Sequence, residues 1–231
     1  MVELIPTGIL ELDKLLKGGI PKGSIIVVHG TSGTGKSMFG AQFLRSSFLE
    51  KMPCAFHLFD KPYVVLKRYF EYLGVGLDEL INEGLFSIIQ TFPQLMPFDK
   101  HPSVNYMPVF SMEELRVFFA KKKVVKLVVG DLCQSILGLI GLKDLIDWLS
   151  WLQNWCVFEG TNALIILSGQ EGGQDFDRYR LLFEKYANCV IILRQIEEKR
   201  EMRIVKMEGL SHPMDWLNFG ISTGGIKLKG R

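Results

Sequence analysis

At 231 residues, with 48% hydrophobic and 23% charged side chains, the chain is long enough to bury a sizeable core. It reads as a soluble globular protein and not as a disordered or fibrous one. A net charge of +2 lacks the strong basicity expected of a nucleic-acid-binding domain. The four cysteines (Cys54, Cys133, Cys156, Cys189) form no CxxC pair, and three lie in or beside apolar runs, which predicts reduced, core-filling thiols. The opening "MVELIPTGILELDKLL" is too acidic and interrupted for a signal peptide, and no apolar run is long enough to span a bilayer. A cytoplasmic location without membrane contact is the expectation.

In chain order, "SIIVVHG" (24–30) is a continuous apolar run ending in glycine, the pattern of a strand buried on both faces. "KSMFGAQFLRSSFLE" places Phe39 and Phe43, then Leu44 and Phe48, one helical turn apart, and Pro53 stops the helix. Further strands are predicted at Ala55–Phe59, Leu85–Gln90, Leu127–Gly130, Ala163–Leu167 and Val190–Arg194, with helical patterns between most of them. One helix spans Ser111–Lys122, where Ser111 and Glu114 have capping-box spacing. Residues 90–110 hold four prolines and no periodicity, which predicts a loop that covers the site or meets a neighbour. Residues 142–156 carry Trp148, Trp151 and Trp155 at helical spacing; burial of all three within the protomer is expected, against an exposed patch for a partner. "CVIILRQIEEKREMRIVKME" reads as two antiparallel strands joined by a charged turn. The basic clusters, Lys121–Lys123 with Lys126 and Lys227, Lys229 and Arg231, read as solvated helix or tail ends. Repeated strand–helix–strand units predict an α/β fold with a mainly parallel sheet, helices on both faces and a C-terminal antiparallel hairpin, as one domain over residues 1–231.

Residues 30–37 read Gly-Thr-Ser-Gly-Thr-Gly-Lys-Ser, matching GxxxxGK[ST] between a strand and a helix. Glycines let the backbone turn tightly enough for several N–H groups to point at phosphate oxygens, and the helix beginning near Lys36 adds its positive end. The expected nucleotide contacts are Gly30, Thr31, Ser32, Gly33, Thr34, Gly35, Lys36, Ser37 and Met38. Lys36 would reach the β- and γ-phosphates, and the Ser37 hydroxyl would ligate Mg²⁺. Asp131, directly after Leu127-Val128-Val129, is a costly acid to bury without a partner. It is read as the second magnesium-associated group, or as the cap of the following turn.

"IPTGILELDKLLKGGIPKGSIIVVHGTSGTGKS" (5–37), with its TGxxxLD and GGIPxGS segments, resembles the opening of KaiC/RecA-like ATPases. "VIILRQIEEKREMRIVKMEGLSH" and "FGISTGGIKL" are similar to the end of a KaiC-type domain, so the resemblance covers nearly the whole chain. It implies a RecA-like P-loop NTPase core, ATP and Mg²⁺ as ligands, and homo-oligomeric rings or filaments with nucleotide between subunits. Thr223, near Ser222, is then expected beside the base. Gln170 in "LSGQ" resembles a glutamine that senses the γ-phosphate, or is a plain loop residue.

The departures matter as much as the likeness. Where the family has two adjacent glutamates that orient and activate water, this chain has Asp60 and Lys61. Asp60 is the candidate base but is a methylene short, and misplacement by an ångström can cost roughly a hundredfold in rate. Lys61 is a cation that cannot take the water's proton. The family's KxRG becomes Lys206-Met207-Glu208-Gly209, so Lys206 could act across a subunit interface while Glu208 stands where an arginine would stabilise the transition state. Loss of such an arginine costs roughly a thousandfold or more. The self-phosphorylated Ser-Thr pair of the clock proteins falls at Glu184-Lys185, so no autokinase activity is expected. The resulting expectation is an ATP-binding regulatory or assembly module with slow hydrolysis and an unidentified protein partner. Its rival is a working RecA-type ATPase acting in DNA recombination or repair.

Overall fold

The computed structural model describes residues 2–59, 61–95, 101–169 and 174–229. The chain begins with β1 (Leu4–Ile5), α1 (Leu10–Leu15) and β2 (Ile20–Pro21), the two short strands pairing with each other. The P-loop unit follows as β3 (Ile25–Gly30) and α2 (Lys36–Leu49), then β4 (Cys54–Leu58), α3 (Tyr63–Tyr72) and α4 (Leu77–Asn82). Next come β5 (Phe86–Thr91), a 3₁₀ turn at Pro93–Leu95, β6 (Val104–Met107), α5 (Met112–Ala120) and β7 (Lys126–Cys133). The second half runs α6 (Gln134–Ile140), α7 (Leu142–Glu159), β8 (Asn162–Ser168), α8 (Gln174–Tyr186), β9 (Cys189–Ile196), β10 (Lys199–Met207), β11 (Leu217–Ser222) and β12 (Gly225–Leu228).

Ten strands form one sheet in the order β12-β11-β10-β9-β3-β8-β7-β4-β5-β6. From β9 to β6 every pair is parallel, and from β9 to β12 every pair is antiparallel. The expected hairpin is therefore half of a four-stranded antiparallel extension. The alternation of side chains explains why β3 opens with four consecutive apolar residues, Ile25 to Val28. Ile26 and Val28 pack under α1, α2 and α3 with Leu12, Phe39, Phe43 and Phe70, whereas Ile25 and Val27 face α5, α7 and α8 with Phe119, Leu149 and Phe183. Helix α2 lies close to the sheet because Gly40 has no side chain: a Cβ there would stand 2.9 Å from Ile166 Cδ1 and 3.1 Å from Val128 Cγ1. Ser111 caps α5, its hydroxyl accepting from the Glu114 N–H at 3.3 Å.

Three expectations need correction. Residues 90–110 are not loop throughout, because Val104–Met107 pairs with β5 as the edge strand. Pro102 and Pro108 flank it, and proline is tolerated beside an edge. Of the three tryptophans, Trp148 is buried, but Trp151 and Trp155 are half-exposed and stack on each other at 5.6 Å. The apolar arc of α7 is wider than the sheet can cover; Phe119 covers one side of Trp155 at 4.7 Å. Finally, Lys126 is no part of a solvated cluster. It is 1% exposed, and its ammonium donates to the Pro6 carbonyl at 2.7 Å, the Phe43 carbonyl at 2.9 Å and the Ser46 hydroxyl at 2.6 Å. Burial lowers its pKa to about 8. The cysteines are free, as expected, and burial pushes Cys54 up to about 11 and Cys156 up to about 12.

Candidate functional site

The site forms where the sheet's central strands end. β3 stops at Gly30, and the chain turns through Gly33 (φ +81°) and Gly35 (φ +106°), left-handed conformations that favour glycine, before entering α2 at Lys36. The Thr34 hydroxyl donates to the Thr31 carbonyl at 2.9 Å, and the Lys36 ammonium donates to the same oxygen at 2.7 Å, closing the loop on itself. The opening amides of α2 have no partners within the helix, and its first turn carries no acidic residue. The arrangement is a positively polarised backbone concavity of the kind that holds phosphate.

Neighbouring strands supply the polar wall. Asp131 sits at the bulge where the β7–β8 register shifts, 9% exposed. One of its carboxylate oxygens accepts from the Ser168 hydroxyl at the end of β8. The other lies 3.0 Å from the ammonium of Lys61, which also donates to the Ser37 hydroxyl at 3.1 Å. Lys61 leads into α3, whose Val65, Arg68, Tyr69 and Tyr72 close the far side of a cavity of about 730 Å³.

Of the sequence-predicted residues, Ser32, Gly33, Gly35, Lys36, Ser37, Met38 and Asp131 line this cavity. Gly30, Thr31 and Thr34 belong to the same turn. Thr223 lies exposed in the β11–β12 turn, and Ile221 is the residue of that segment on the cavity wall. Asp60 and Gln170 lie outside the described residues. Asp131 lies within β7, and its carboxylate meets Lys61 beside the P-loop helix. The expected magnesium pair, Ser37 and Asp131, is brought together, but an ammonium stands between them. That donor set does not fit a divalent cation as arranged, since the metal would meet a like charge at contact distance. Among the described residues no cluster of three or more His, Cys, Asp or Glu could hold a metal.

Sequence reasoning did not anticipate Arg68, Tyr69, Tyr72 and Ser168 on the wall. Val65, Arg68, Tyr69 and Tyr72 recur at helical spacing directly after a predicted strand, a periodicity that could have marked one face of α3 as facing the P-loop. Farther along β10, Lys206 is held within its own chain, 3.0 Å from Glu208 and donating to the Glu184 carbonyl at 3.2 Å. That ammonium and the Asn188 amide keep the Glu208 carboxyl below its usual range. Glu184 joins Arg180 at 2.8 Å and buried His29 at 3.3 Å. Among the described residues no helix is long and apolar enough to cross a membrane.

Comparison with known proteins agrees with this architecture. A family model described as the KaiC ATPase matches residues 5–231. A circadian clock protein KaiC2 of Synechocystis is 27% identical over 231 residues, covering 96% of this chain and 39% of that protein. A UPF0273 protein of Pyrococcus furiosus is 26% identical over 236 residues, covering 98% of this chain and 94% of its own length. A UPF0273 protein of Saccharolobus solfataricus is 38% identical, over 88 residues that make up 38% of this chain and 31% of that one. The chain spans about two fifths of the length of several of these relatives, the clock proteins among them.

Proposed function

The chain belongs to the KaiC ATPase family, and from that premise we propose that it is an ATP-binding module, slow in hydrolysis, whose occupancy governs shape and self-association. The observation that carries this reading is the cavity, in which Lys36, Ser37, Asp131 and the amide end of α2 converge on a volume suited to a nucleotide. Gly30, Thr31, Ser32, Gly33, Thr34 and Gly35 wrap the phosphates, Lys36 closes over their far end, and the segment carrying Ile221 and Thr223 lies toward the base. ATP is the proposed nucleotide.

Slow hydrolysis is supported by the substitutions in the groups that would drive it. Asp60 replaces a longer carboxylate. Lys61, which would be the second, is tied to Asp131 and Ser37, so it offers no base. Lys206 is paired with Glu208 in its own chain and would have to leave that partner to act across a ring interface. Glu184 and Lys185 cannot carry the phosphate of a hydroxyl side chain. Assembly with a second copy or with another protein is then the output that ATP occupancy controls; nucleic acid and membrane are not proposed partners.

Single-turnover hydrolysis with saturating ATP tests the reading. The expected rate is far below that of ring ATPases, and Asp60→Glu combined with Glu208→Arg raises it. A fast wild-type rate, or no gain in a folded double variant, overturns the account. Stimulation by single-stranded DNA would support a recombination ATPase instead.

A further inference from the structure

Lys61 stands where nucleotide chemistry calls for a divalent cation. The P-loop hydroxyl and the strand carboxylate would share that cation, and they are the two groups its ammonium bridges, at 3.1 Å from Ser37 Oγ and 3.0 Å from Asp131 Oδ2. Each of those oxygens accepts from Lys61, while the remaining carboxylate oxygen accepts from Ser168. The ion pair is substantially withdrawn from solvent, with side-chain exposures of 29% for Lys61 and 10% for Asp131, so neither partner is a freely solvated surface charge. Lys36 is a separate cation, engaged with the Thr31 carbonyl on the loop side. Arg68 of α3 adds a third positive side chain to the wall.

Building on the proposal that this cavity binds ATP, we infer that the Lys61 ammonium replaces Mg²⁺ there and makes nucleotide binding independent of divalent metal. A polyphosphate brings several negative charges into a partly enclosed site. Elsewhere a metal offsets them and is held in turn by a hydroxyl and a carboxylate. Here the lysine cancels the charge of Asp131, which would otherwise repel the phosphates, and leaves Lys36 and Arg68 to meet them. A tethered ammonium already held by Ser37 and Asp131 orders little on binding. It cannot, however, polarise a phosphoryl oxygen as a divalent ion does. Slow turnover of bound triphosphate follows from that difference.

The test is titration of the full chain with a fluorescent ATP analogue in excess EDTA and again in millimolar Mg²⁺. The two dissociation constants of the wild type are expected to agree within about threefold. Lys61→Met frees Ser37 and Asp131, so its binding is expected to weaken by about tenfold or more in EDTA and to recover when Mg²⁺ is added. Because that variant could be misfolded, the wild type is also melted with ATP in both buffers, where the ligand-induced rise in Tm should be equal. Wild-type binding that requires Mg²⁺ overturns the inference and leaves the nucleotide site standing. Metal-independent binding that survives in Lys61→Met overturns the role of the lysine. No binding in either buffer removes the ATP-binding proposal itself.

Discussion

Replacing Lys126 by methionine keeps most of the volume of a side chain that is 1% exposed and removes its charge. The fall from the ordinary lysine value of 10.5 to about 8 means burial disfavours the ammonium by roughly 3 kcal/mol, net of the attraction of Cys54, Asp13 and Glu50. Against that gain, the variant leaves the Pro6 carbonyl without the donor at 2.7 Å, a loss of about 1–3 kcal/mol. The Phe43 carbonyl loses less, because the Ser46 hydroxyl also donates to it at 3.0 Å. The two effects nearly cancel, so the stability of Lys126→Met at neutral pH is expected to lie within about 2 kcal/mol of the wild type. The pH dependence separates the two proteins. Above the native value of about 8 and below the unfolded value of 10.5, the unfolded chain binds the proton that the native chain has released, so stability rises with pH. The wild type should gain about 2 kcal/mol on Lys126→Met between about pH 7.5 and about pH 9.5. The buried cysteines act in the opposite direction, losing stability as pH rises above their unfolded value of 9.0, but they do so in both proteins. Denaturant midpoints followed by tryptophan fluorescence at the two pH values give the difference directly. Parallel profiles would refute a buried, charged lysine.

On the acid side, burial holds His57 at about 3, with its Nε2 2.7 Å from the Thr91 hydroxyl. Its contribution is complete above 6.5 and is lost as pH falls below that value, costing about 1 kcal/mol between about pH 7 and about pH 5.5; an unchanged slope in a folded His57→Gln variant would exclude this. Gly35→Ala forces a side chain onto a residue at φ +106° and sets its Cβ 2.9 Å from Ile221 Cδ1. A stability loss of about 1–2 kcal/mol by thermal melting is expected. Fluorescent-ATP affinity should fall about tenfold with it, and intact binding would show that this turn does not hold phosphate.

The sheet and the cradle were legible because their signals are local. An unbroken apolar run such as 25–28 requires two covered faces, and the glycine spacing of 30–37 specifies a turn with amides pointing inward. What escaped were properties that arise from folding at long range. Lys126 follows three lysines and reads as surface, but it begins a strand between a turn at Pro6 and the inner face of α2, where backbone carbonyls await a donor. Lys61 reads as a lost carboxylate, and only the juxtaposition of β4 with β7 shows it between Ser37 and Asp131. Edge strand β6 was obscured by the prolines on either side of its four residues, too short a run for alternation to register. The tryptophan pair of α7 depended on how far α5 reaches over the sheet, which periodicity within one helix does not encode.

The pairing of β3 bears on the order in which the protein can be made. Its hydrogen-bonded neighbours are β8 and β9, which begin at Asn162 and Cys189, so the strand leaves the ribosome long before either edge can be satisfied. A nascent chain that stops short of Asn162 already carries Lys36 and Ser37, but leaves both edges of β3 unpaired and open to association. The cavity, whose wall includes Ser168 and Ile221, is therefore completed late in synthesis.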